Sequence, residues 1–295
     1  KNRQRDQVGQ WKYEATVRAA QVAFGVSDAD AKLSPSKKAA QDTIRRLAGL
    51  LEPDEREKLN QSAAKKLVKL FNDLPSKQEL AAVAIAGQAK RGWYRQSAEA
   101  ITNVFGPDAP RFAALLAALS PQQSVEMNLT NAVAVWSEWT KAGRPLAKKG
   151  IVDAMARVIP GGYNGILGAW KNNSIRALTA PKPESVTLSG PKVDSFAANL
   201  RGETNAVTLD TWMANFALVD QRIFRGVMTK GGNPGKRPGY LAFSARIRQA
   251  AQYLTEKTGE VWTPAEVQET IWSWAKALYE QAEMFGALGS AKDLV

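Results

Sequence analysis

The 295-residue sequence contains no cysteine and no histidine. Without thiols there is no disulfide, thiolate zinc site or cysteine-held iron–sulfur cluster, and without imidazole the commonest general base and metal ligand are gone. Chemistry in this chain falls to Asp, Glu, Lys and Tyr, and no metal and no cofactor is expected. Long apolar runs are missing as well: none approaches the ~18–20 residues of a membrane span, and no signal-peptide pattern opens the chain. No membrane partner is expected, and the residues read as a cytoplasmic protein, either nucleoid-associated or in a phage-infected cell. Strand-like alternation of apolar and polar residues is absent too, so the expected fold class is all-α.

What is present is positive charge. Lys and Arg number 40 against 28 Asp and Glu, a net charge of +12 and a pI near 9.8. A balance of this kind favours a polyanionic partner, and its distribution says more than its size. Residues 141–201 hold ten Lys/Arg and three Asp/Glu, and residues 221–257 hold eight and one, whereas 258–295 hold two and six. The positive segments therefore bracket residues 188–213.

Helical apolar spacing runs through the rest. Residues 1–25 predict an amphipathic helix ending at Gly25, a second helix runs from Ser34-Pro35-Ser36 to Leu51, and a third ends at Asn72. Pro75-Ser76 opens a helix over 78–89. Arg91-Gly92-Trp93-Tyr94 opens another that closes at Phe105 before Gly106-Pro107. Phe112–Leu119 leads into Ser120-Pro121-Gln122-Gln123, and the next helix carries Asn128 and Asn131 on one face. Residues 150–160 form a short helix before Pro160-Gly161-Gly162. The stretch beyond Asp210 reads as an apolar helix to Val219. The glycine-rich basic loop 229–240 lacks P-loop spacing, and helices over 240–257 and 264–285 close the chain.

Two ionisable residues stand out. Lys192 opens a helix directly after the turn Leu188-Ser189-Gly190-Pro191, where the first-turn amides already supply positive potential. Asp210 follows the apolar run Ala206-Val207-Thr208-Leu209 and stands at the N-cap of a second helix start. Taken singly, each has a plain reading, as a solvated helix residue and as a cap.

Three segments in order change that weighing. Ser120-Pro121-Gln122-Gln123, then Gly168-Ala169-Trp170-Lys171-Asn172-Asn173, then Leu188-Ser189-Gly190-Pro191-Lys192 with Leu209-Asp210-Thr211, together resemble the helix-hairpin-helix DNA glycosylase superfamily over residues 100–225. The 18 residues separating Lys192 from Asp210 resemble the endonuclease-III-like branch. The hairpin departs from the family in having one glycine rather than two, Trp212 stands where the family has His, and no cysteine exists for an iron–sulfur cluster.

The resemblance implies a two-lobed helical glycosylase-like fold with extra N- and C-terminal helices, divided as 1–92, a core at 93–225, and 226–295. It implies Lys192 as a Schiff-base nucleophile and Asp210 as the carboxylate that stabilises a sugar cation. The partner would be duplex DNA with a flipped base, bound by a monomer. Gln122, Gln123, Asn128, Asn131, Trp93 and Tyr94 would line the pocket. Lys171, Asn172, Asn173, Ser189, Gly190, Lys236 and Arg237 would meet the DNA backbone. Two other readings stay open: base modification by transfer onto a flipped, hypermodified pyrimidine, and DNA binding without chemistry.

The charge distribution generates a test. Duplex affinity is expected to fall steeply as salt rises, with each neutralised phosphate adding about −0.9 to the slope of log K against log salt. A flat titration would assign the positive segments to something other than DNA.

Overall fold

A computed structural model of the chain describes Leu50 and residues 70–217, 219, 221–224, 227–228, 234–235 and 238–284. Of the helices expected within 1–72, only Leu50 and residues 70–72 are described, and they are helical; the rest lies outside the described residues, as do Lys236 and Arg237. Among the described residues, beyond helical Leu50 and residues 70–73, the α-helices are α1 (Lys77–Ala86), α2 (Trp93–Phe105), α3 (Ala109–Ala118), α4 (Val125–Lys141), α5 (Lys148–Val158), α6 (Gly168–Thr179), α7 (Pro191–Leu200), α8 (Thr211–Phe216), α9 (Pro238–Thr258) and α10 (Pro264–Met284). The only strands among them are the two-residue pair Val227–Met228 and Pro234–Gly235. The fold class is all-α.

Local sequence accounts for most helix ends. Ser76 caps α1 in a capping box, its hydroxyl accepting from the Glu79 amide at 3.2 Å while the Glu79 carboxylate accepts from the Ser76 amide at 2.5 Å. Ser124 caps α4 by accepting from the Met127 amide at 3.2 Å. Helix α8 ends at Phe216 rather than Val219. The Ala217 amide donates to the Met213 carbonyl and the Val219 amide donates back to the Ala214 carbonyl, which ends the helix before the apolar run does.

The chain divides into two compact units. One takes the described residues up to Trp93, those of Leu209–Thr229 and those from Gly235 onward; the other takes Tyr94–Thr208 and Pro234.

The core of the second unit is contributed by α2 through α7. Phe112, Leu115, Leu119, Trp139, Ile151, Met155 and Leu178 are buried there, each stabilising the unit by roughly 1.5–3 kcal/mol. Phe105 stacks on Phe112 with centroids 3.7 Å apart, and Trp136 stands edge-on to both. Arg111 closes the C-terminal end of α6 by donating to the carbonyls of Ala177, Leu178 and Ala180. This answers the orphan carbonyls that any helix end leaves.

In the first unit, α1, α8, α9 and α10 pack through Leu80, Val83, Met213, Phe216, Tyr240, Phe243, Val267 and Ile271. Arg246 is buried within it, stacked 3.6 Å over the Phe71 ring and donating to the Phe71 carbonyl at 2.8 Å. Burial pushes its guanidinium down to about 10, which leaves it charged at neutral pH. Arg91, just before α2, ties that stretch to the α9–α10 turn of the same unit. It donates to Glu260, Glu266 and the Val261 carbonyl and lies 4.0 Å over the Trp262 ring.

Gly87 follows α1 where no side chain fits. A β-carbon there would stand 2.2 Å from the Thr270 carbonyl oxygen in α10, so the two backbones touch. Gly87→Ala is expected to destabilise the protein by roughly 1–3 kcal/mol, the usual cost of overpacking. Gly168→Ala, with nothing within 4 Å of its β-carbon, should stay within about 0.5 kcal/mol in the same denaturant titrations. Equal stabilities for the two variants would refute the close approach of α1 and α10.

Candidate functional site

The hairpin before α7 is built by side chains reaching in from elsewhere. Asn173, buried in α6, donates through Nδ2 to the Ser189 carbonyl at 2.9 Å and accepts the Ser189 amide on Oδ1 at 2.7 Å. Asp194, in the first turn of α7, accepts the Leu188 amide on Oδ1 at 2.8 Å. These bonds hold a turn in which Gly190 has φ of +102°, a conformation that disfavours any residue with a β-carbon. Pro191 then occupies the first helical position, where its missing N–H costs nothing.

Lys192 comes next, and its amine turns inward. Nζ donates to Ser120 Oγ at 2.8 Å and lies 5.5 Å from the centroid of the Phe196 ring. Ser120 is buried, 8% exposed, at the end of α3. Its neighbours are anchored: the Ser120 amide donates to the Ala117 carbonyl at 3.2 Å, and the Pro121 carbonyl accepts from the Trp170 indole at 3.0 Å. Gln122 follows, exposed and with φ of +61°, and Gln123 is half-buried before the Ser124 cap. Tyr94 is buried edge-on to Phe196, centroids 6.2 Å apart. The second unit thus brings together Tyr94, Ser120, Lys192 and the glutamine loop.

Helix α4, which leaves that loop, is inverted in its first turns. Asn128 and Asn131 are buried, while Met127, Leu129 and Val133 are each nearly half exposed. Asn128 Oδ1 has no hydrogen-bond partner although it is closed off from solvent. An unpaired buried acceptor costs about 1–3 kcal/mol, so this arrangement is not what packing alone selects.

Lys171 and Asn172 are exposed in the first turn of α6. Helices α5, α6 and α7 all begin without a side-chain cap and carry lysine in the first turn, at Lys148 and Lys149, Lys171, and Lys192. Uncapped first-turn amides beside ammonium groups suit phosphate oxygens. Lys149 is partly engaged already: its Nζ and the Tyr163 hydroxyl donate to Asp153 at 2.8 and 2.6 Å. The Lys149 hydrogen bond, with that of Tyr163, holds the Asp153 carboxyl below its usual range and Asp153 in turn raises both partners.

Asp210 belongs to the first unit and is the N-cap of α8. Its Oδ1 accepts from the Trp212 and Met213 amides at 3.0 and 3.3 Å, and its Oδ2 accepts from the Trp272 indole at 2.9 Å. The preceding Leu209 amide donates to the buried Tyr240 hydroxyl at 3.2 Å. The carboxylate is half-buried and held at both oxygens, with its orientation set by two elements of that unit. Trp93, half-buried at the start of α2, is assigned to the same unit.

Two participants were not legible in the sequence. Ser120 and Trp272 reach Lys192 and Asp210 across 72 and 62 residues, and neither spacing carries a pattern. Among the described residues no group of three or more Asp and Glu is placed to hold a metal ion, and no helix is long and apolar enough to cross a membrane.

No curated protein and no solved structure matches the chain. A family model does, over residues 57–278, well over half of the sequence, and on that match the chain belongs to the family of unknown function DUF7178.

Proposed function

We propose that the chain is a DNA N-glycosylase, with lyase capability, that extrudes a modified or damaged base and releases it. The observation that carries this reading is the Lys192 amine, turned inward onto a buried hydroxyl at the start of a helix whose preceding hairpin is clamped by Asn173. A surface lysine at a helix N-terminus gains more by extending into water, away from the positive end of the dipole. An amine held in the protein instead suits attack on a sugar carbon.

The chemistry follows from the residues available. Cleaving an N-glycosidic bond builds positive charge on the sugar, which a carboxylate fixed in orientation stabilises. Asp210 is the residue for that role, with Trp272 setting its second oxygen. Lys192 attacks C1′ as the base leaves with the bonding electron pair and takes up a proton from solvent; the nitrogen then gives up a proton, and its lone pair forms the Schiff base as the C1′–O4′ bond breaks and O4′ is protonated. Base extrusion is required because C1′ chemistry is blocked in the stacked duplex. Gln122, exposed, and Gln123, half-buried, offer hydrogen-bonding groups for an extruded base. The uncapped, lysine-bearing starts of α5, α6 and α7 supply sequence-independent phosphate contacts. Duplex DNA is the partner, met by a monomer.

The deciding experiment incubates the protein with duplexes carrying different damaged and hypermodified bases and resolves free base, abasic strand, nick and mass-shifted strand. On a processed substrate, Asp210→Asn is expected to slow base release by about a hundredfold or more while DNA affinity holds or rises. Lys192→Ala should lose the borohydride-trapped protein–DNA adduct. Asp194→Asn, whose side-chain oxygen can still accept the Leu188 amide, should leave base release unchanged. Undiminished base release by Asp210→Asn would sink the reading, and a heavier strand without free base would assign the site to base modification.

A further inference from the structure

We propose that Ser120 is the positioning residue for the Lys192 amine, fixing where its lone pair points during Schiff-base formation. The inference rests on the reading of Lys192 as the nucleophile. The geometry behind it is the 2.8 Å bond from Lys192 Nζ to Ser120 Oγ, made between residues 72 apart in sequence.

A long lysine side chain is a poor nucleophile when it samples many rotamers, because reaction needs the nitrogen within near-attack distance and correctly turned. Here the hydroxyl stands on backbone held at both sides, by the Ala117 carbonyl below it and by the Trp170 indole on Pro121 above it. Lys192 Nζ also lies over the Phe196 ring, 5.5 Å from its centroid, and Tyr94 supports that ring edge-on. Once the ammonium has given one proton to solvent, one of the two remaining N–H bonds stays donated to Ser120 Oγ. That bond fixes the amine, and the lone pair is directed away from the hydroxyl. Serine can keep this role throughout, since its oxygen accepts from ammonium and amine alike.

A duplex bearing one abasic site tests this without knowledge of the natural base. Its ring-opened aldehyde reacts with the amine to form an N–C1′ bond, the carbonyl oxygen leaves as water, and borohydride adds hydride to the imine carbon to leave a stable secondary amine. In single-turnover trapping, Ser120→Ala and Ser120→Val are expected to form adduct about tenfold more slowly than wild type, with affinity for the abasic duplex unchanged. Ser120→Thr should restore the rate. Threonine and valine have nearly the same shape, so a packing role would treat them alike, and only a role for the hydroxyl separates them.

If Lys192→Ala loses the adduct while Ser120→Val keeps the wild-type rate, the positioning role is overturned and Lys192 remains the nucleophile. If wild type forms no adduct, or Lys192→Ala forms it equally well, the nucleophile assignment itself fails and the role of Ser120 falls with it. Equal slowing by Thr and Val, with lowered thermal stability in both, would reduce Ser120 to a packing residue.

Discussion

The pairing of the Asn173 amide with the Ser189 peptide governs the candidate site. One side chain answers both the donor and the acceptor of a single turn residue, from a buried position in α6. A buried amide with both functions satisfied is rigid, since any rotation would leave a donor or acceptor unpaired in low dielectric. From that clamp follow the positive φ at Gly190, the start of α7 at Pro191 and the place from which Lys192 departs. Asp194 adds a third bond by holding the Leu188 amide, and so ties the helix back to the turn it grows from. Asn173 is thereby occupied in shaping the hairpin and has no exposed surface to offer a phosphate; Lys171 and Asn172, on the outside of the same helix, do.

Helix α4 shows the opposite economy. Its first turns bury two amides and leave Met127, Leu129 and Val133 open to water, so both terms oppose stability there. The helix is long enough, and well enough anchored through Ala132, Val135 and Trp139, to carry the penalty. Local departures from the pattern that packing favours concentrate where function constrains residues. This one lies one turn beyond the loop that holds Ser120 and the two glutamines.

At Asp210 the N-cap role does not use up the carboxylate. The N-cap role uses one oxygen, on the Trp212 and Met213 amides, and leaves the other to the Trp272 indole. The same bonds that start α8 fix the plane of the carboxylate, which is the preorganisation that the proposed role of Asp210 requires.

The sequence by itself determined the all-α class, most helix boundaries within the described residues, and the exclusion of thiol and imidazole chemistry. These are local matters: apolar spacing, caps such as Ser76 and Ser124, and turns such as Gly106-Pro107 are written in neighbouring residues. It also marked Lys192 and Asp210, through the order of three short segments rather than through either residue's own neighbours. Only the tertiary structure decided what those groups touch. Ser120 for Lys192, Trp272 for Asp210, Asn173 for the hairpin and the inward turn of Asn128 and Asn131 all depend on which helix faces lie together, and packing between distant segments leaves no periodic trace in the chain.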